Sequence, residues 1–131
     1  MSKFIVQAEA AGDVLYSDEG LSFWGGVDPL TGRVIDVHRP WYGLEIAGKI
    51  LVMPTSRGSC SGSGVLLELA LNGQAPAALI FSAAEETLTL GAVIAARLFD
   101  KRIAVAHLAR KDFYALSQAP KATIRANALY F

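Results

Sequence analysis

The chain has 131 residues, 53% of them hydrophobic and 18% charged, with 12 Lys plus Arg against 12 Asp plus Glu. A chain of that length and apolar content can bury a real core, which excludes disorder, and its zero net charge offers no field to steer nucleic acid or an anionic membrane. Its single cysteine, Cys60, excludes an internal disulfide framework and a zinc site built on cysteines. The low charge has two readings, an unusually apolar core or a surface partly covered by a partner. No stretch approaches the ~18 apolar residues of a membrane span. The opening MSKFIVQAEAAGD carries an early acid and lacks the apolar core of a secretory signal. One cytoplasmic domain over residues 1–131 is expected.

In chain order, residues 4–8 (FIVQA) and 12–17 read as short strands. Residues 20–26 lead into Val27-Asp28-Pro29-Leu30-Thr31-Gly32, whose Asp-Pro and glycine spacing predicts a tight turn. Residues 33–36 follow as a further strand, interrupted by Arg39-Pro40-Trp41-Tyr42-Gly43. Residues 49–54 (KILVMP) form a continuous apolar run stopped by proline, a buried strand. After the Ser/Gly stretch 55–64, residues 65–73 carry helix formers and stop on Asn72-Gly73. Residues 77–81 (AALIF) are the next buried strand. Residues 87–99 are a second helix, with Leu88, Ala92, Ile94, Ala95 and Leu98 on its apolar face. Residues 103–106 (IAVA) make a third buried strand, and residues 123–131 add another. Uniformly apolar strands belong in a sheet covered on both faces, and right-handed crossovers then pack the helices onto it. The prediction is an α/β fold with a β-rich, barrel-like first half.

Arg57-Gly58-Ser59-Cys60-Ser61-Gly62-Ser63-Gly64 lies between a buried strand and a helix, where α/β proteins place ligands. The helix behind it supplies unpaired N–H groups and a positive dipole end, and glycine lets backbone approach an anion. The serines can grip a carboxylate, or one can act as a base if cations or the helix terminus stabilise its alkoxide. Equally, Ser and Gly are ordinary loop residues, and serine before a helix is a common N-cap. The segment lacks the lysine of a phosphate-binding Walker loop and the five-residue form of a hydrolase elbow. His38, beside Arg39 and Pro40 in a turn, and His107, at the end of a strand, read as surface or packed histidines rather than catalysts. Cys60 reads as a small buried residue or a weakly reactive thiol. Glu85 and Glu86 read as the solvated start of the second helix.

Four ordered blocks carry more information than the loop alone: Phe23-Trp24-Gly25-Gly26-Val27-Asp28-Pro29-Leu30-Thr31-Gly32-Arg33-Val34-Ile35-Asp36, then Ala47-Gly48-Lys49-Ile50-Leu51-Val52-Met53-Pro54, then Arg57 through Leu69, then Gly73-Gln74-Ala75-Pro76-Ala77-Ala78. Together they resemble the aconitase X swivel domain, from about Gly12 to His107. The resemblance implies the swivelling β/β/α fold of the aconitase superfamily and a hydro-lyase that removes water from a hydroxy acid. In two-chain members this domain is a separate small subunit, so the implied partner is a large aconitase X type catalytic subunit. The implied substrate is cis-3-hydroxy-L-proline, because the Ser-Cys-Ser-Gly-Ser-Gly form is similar to the bacterial branch. Alternatives are mevalonate 5-phosphate, or a non-catalytic domain of the same fold that binds a small anion.

Carried over by position, the family's proton-accepting serine falls on Ser59. Arg57, Gly58, Cys60, Ser61, Gly62 and Ser63 are then the substrate-binding candidates. Cys60 stands where the superfamily has serine or threonine, no arginine follows directly, and Arg57 is the substitute from the other side. The resemblance implies no metal in this chain and an iron–sulfur cluster or iron on the large subunit. Neither nucleic acid nor membrane is an expected partner.

Overall fold

In a computed structural model, residues 2–39, 41–57 and 61–131 are described. The strands are β1 (Ser2–Val6), β2 (Ala10–Tyr16), β3 (Ile50–Met53), β4 (Ala78–Phe81), β5 (Ala104–Leu108), β6 (Lys121–Arg125) and β7 (Ala128–Tyr130). The helices are α1 (Gly62–Leu71), α2 (Thr87–Phe99) and α3 (Arg110–Ser117). All seven strands join one sheet in the order β1-β5-β4-β3-β2-β6-β7. Its centre, β5-β4-β3-β2, is parallel, and β1, β6 and β7 extend it antiparallel.

β3 and β4 are apolar along their length, and β5 is so apart from His107, because both faces of these strands are covered. Leu51, Met53, Leu79, Phe81 and Val105 point to one face, where Leu66 and Leu69 of α1 and Leu88, Ala92 and Ala95 of α2 cover them. Ile50, Val52, Ile80, Ala104 and Ala106 point to the other, packed with Phe113 and Leu116 of α3 and with Ala122 and Ile124 of β6. Since β6 pairs with β2 yet packs beneath the central strands, the sheet curls over that face.

The first half is less β-rich than its sequence predicts. Residues 33–36 form no strand: Val34 bridges Val27 and Arg33 bridges Glu45, each in isolation. Turns dominate the stretch between β2 and β3, and it folds onto the α1/α2 face through the buried side chains of Phe23, Val27, Val34, Trp41 and Ile46. Gly32, at φ +72°, brings the backbone so close that an added Cβ would lie 3.0 Å from the Gln74 carbonyl oxygen. The Trp41 indole N–H donates to the Tyr16 carbonyl at 3.1 Å, fastening the excursion to β2.

The predicted tail strand is a hairpin, β6–β7, whose two turn residues Ala126 and Asn127 have φ of +52° and +61°. Both central residues of a type I′ turn need that conformation, which costs an alanine about 1 kcal/mol. Replacing Ala126 by glycine should therefore raise stability by about 0.5–1 kcal/mol, read as a higher thermal midpoint.

Candidate functional site

Because β3, β4 and β5 run parallel, their carboxyl ends meet at one edge of the sheet, and the loops leading into α1 and α2 lie side by side there. Backbone bonds join these loops: the Pro54 carbonyl accepts from the N–H groups of Ser82, at 3.1 Å, and Ala83, at 2.9 Å. The Thr55 hydroxyl donates to the Ala84 carbonyl at 3.4 Å, and the Ser56 hydroxyl donates to the Glu85 carboxylate. On the other side, the Arg57 N–H donates to the Leu21 carbonyl at 3.4 Å. A Cβ on Gly20 would come within 2.4 Å of the Thr55 carbonyl oxygen, so the excursion abuts the same loop.

Of the predicted site residues, Gly58, Ser59 and Cys60 lie outside the described residues. Arg57 is exposed at the entrance to the Ser/Gly segment. Ser61 is exposed and immediately precedes α1, and its carbonyl accepts from the N–H groups of Gly64, at 3.1 Å, and Val65, at 3.3 Å. Its hydroxyl makes no capping bond. Gly62 is buried and Ser63 half-buried.

The helix begins at Gly62, not at residue 65, so the end of the Ser/Gly block is its first turn. The small residues there suit the packing of the helix pair. A Cβ on Gly62 would meet the Thr87 methyl at 3.5 Å, and one on Gly91 would lie 2.7 Å from the Ser63 carbonyl oxygen. Two glycines thus let the first turn of α1 lie close against α2.

Glu85 is not the solvated acid that the sequence predicts. It is half-buried, and its carboxylate accepts the N–H of Leu88 at 2.8 Å, the N–H of Thr89 at 2.9 Å and the Thr89 hydroxyl at 3.0 Å, besides the Ser56 hydroxyl. An acid in the turn before a helix signals capping, but nothing in the sequence marks Ser56 as its fourth donor. Sequence reasoning missed this pair.

His107 is half-buried in β5, its Nε2 2.9 Å from the Ser82 carbonyl oxygen, so it serves the loop after β4. His38 is exposed. Its N–H donates to the Asp36 carboxylate at 3.0 Å, and the Arg39 guanidinium meets the same carboxylate at 3.3 Å. That backbone bond first, and then Arg39, holds the Asp36 carboxyl below its ordinary range. Among the described residues, no three His, Cys, Asp or Glu side chains gather as a metal site, and no helix is long and apolar enough to cross a membrane.

The family model of the aconitase X swivel domain matches residues 1–130. A cis-3-hydroxy-L-proline dehydratase of Hypocrea jecorina is 53% identical over 114 residues, covering 87% of this chain and 19% of that protein. The chain thus spans about a fifth of the length of the dehydratases of that name that it matches. A phosphomevalonate dehydratase small subunit of Methanothermobacter thermautotrophicus is 47% identical over 93 residues, 71% of each chain. The crystal structure of holo aconitase X from Thermococcus kodakaraensis superposes with a TM-score of 0.79 at 36% identity, over 96% of this chain and 88% of that one. Fold and sequence agree: the chain belongs to the aconitase X swivel-domain family.

Proposed function

We propose that this chain is the small, swivelling half of a hydro-lyase whose substrate is cis-3-hydroxy-L-proline. The observation that carries the reading is a Ser/Gly segment at the carboxyl edge of a parallel sheet, in a chain 53% identical to a dehydratase of that name. Removing water next to a carboxylate needs a base for the carbon-bound proton, an acid for the departing hydroxyl, which in this scheme comes from the large chain, and a grip on the carboxylate. Ser59 is the proton acceptor in this scheme. Arg57 supplies a cation at the entrance to the segment, where it favours the alkoxide and the substrate anion alike. Gly58, Cys60, Ser61, Gly62 and Ser63 supply amides, hydroxyls and the dipole end of α1 for the carboxylate.

One cysteine in the whole sequence, and no cluster of metal-binding side chains among the described residues, do not fit an iron–sulfur cluster or an iron site. The metal in our scheme belongs to a large aconitase X type chain, and the two chains form a cytoplasmic heterodimer. Closure of the two halves would then exclude water from the reacting carbon.

The second substrate reading, mevalonate 5-phosphate, is favoured by one observation. The small subunits of that name match this chain in size, with 71% of each covered, whereas the hydroxyproline enzymes are about five times longer. Purified with its large chain and assayed on both hydroxy acids, the complex should dehydrate cis-3-hydroxy-L-proline. Turnover of mevalonate 5-phosphate alone would transfer the assignment to the second substrate, and turnover of neither would leave the non-catalytic anion-binding reading.

A further inference from the structure

We infer that the Ser56–Glu85 hydrogen bond is a positioning device for the candidate catalytic segment, holding the chain three residues before Ser59 against the start of α2. This rests on the dehydratase reading for its meaning, but the link itself is structural. Glu85 is fixed from the helix side by the N–H groups of Leu88 and Thr89 and by the Thr89 hydroxyl. A carboxylate bound in that way is a rigid acceptor, because moving it would break several charge-assisted bonds at once. Ser56, the fourth donor, lies on the neighbouring loop and transmits that rigidity across.

The neighbouring bonds act on the residues just before Ser56, through Pro54 and Thr55. Of these side-chain and backbone links between the two loops, the one at Ser56 stands nearest to Ser59 along the chain. Beyond it, Arg57 is tied by its N–H to Leu21 on the opposite side. The entrance to the Ser/Gly segment is therefore held from both flanks. Neither Ser56 nor Glu85 is assigned a contact with substrate. Their effect is geometric: a base displaced by about 1 Å can cost 10²-fold in rate.

Ser56→Ala removes the link and leaves the helix-side bonds of Glu85 intact, while Ser56→Thr retains a hydroxyl. Amide hydrogen exchange across residues 57–64 reads the link without reference to activity. It should quicken roughly tenfold in Ser56→Ala and return towards wild type in Ser56→Thr. In the assembled complex, Ser56→Ala should lower kcat at least tenfold with KM changed less, because positioning acts on the reacting atoms. Unchanged exchange in Ser56→Ala would overturn the inference, as would faster exchange with wild-type kcat. Faster exchange together with a wild-type complex inactive on both substrates would instead sink the dehydratase reading and leave the link standing.

Discussion

Ser59→Ala, assayed in the assembled complex, should lower kcat by about 10²-fold or more while the complex still forms and melts within a few degrees of wild type. The expectation follows from where the interaction acts. A proton acceptor contributes chiefly in the transition state, so its loss appears in turnover rather than in binding. A serine with only a structural part in its loop would cost about 1 kcal/mol of stability and leave the chemistry intact, since the residue that precedes α1 is Ser61. Thermal midpoint and kcat, measured on the same preparation, separate the two roles. A variant that is modestly destabilised but turns over at the wild-type rate would remove Ser59 from the role of base.

The converse result is expected in the core. Leu79 lies fully buried in β4, between β3 and β5 and facing α1 and α2. Truncating such a leucine to alanine removes its transfer free energy and leaves a cavity, together about 2–5 kcal/mol. Leu79→Ala should therefore lower the denaturation midpoint steeply and reduce the yield of assembled complex. Its kcat per folded complex should stay near wild type, because the change lies in the core beneath α1 and α2 and removes no group of the Ser/Gly segment. Denaturant titration with parallel kinetics checks both halves, and a loss below 1 kcal/mol would mean that the two-faced packing described here is wrong.

The part of the fold that was legible in the sequence is the part where one signal dominates. KILVMP, AALIF and IAVA are apolar without alternation because they are covered on both faces, and each became a central parallel strand. Residues 87–99 were placed as a helix by their broad apolar face, and α2 has those bounds. By contrast, α3 goes unmarked in the sequence reading: it is polar on average, spans eight residues, and buries only Phe113 and Leu116. Residues 33–36 look like a strand locally, yet their neighbours are turns, and only Arg33 and Val34 find bridging partners.

The site divides in the same way. What was legible is the placing of the Ser/Gly block between a buried strand and a helix, here β3 and α1. Its boundaries were not. Gly62 and Ser63 look like loop residues in sequence, and only the close approach of α2, through Gly91, shows why small residues begin a helix there. The Ser56–Glu85 pair was invisible for a simpler reason. The partners stand 29 residues apart, joined only by the side-by-side placement of two loops.

In the proposed function, this chain carries one half of a site that the large chain completes. Titrating it into a fixed amount of the large chain, with cis-3-hydroxy-L-proline as substrate, tests that most directly. Neither chain alone should turn over substrate, and the rate should rise to a plateau at one equivalent. Full activity of the large chain by itself, unchanged on adding this one, would contradict that function.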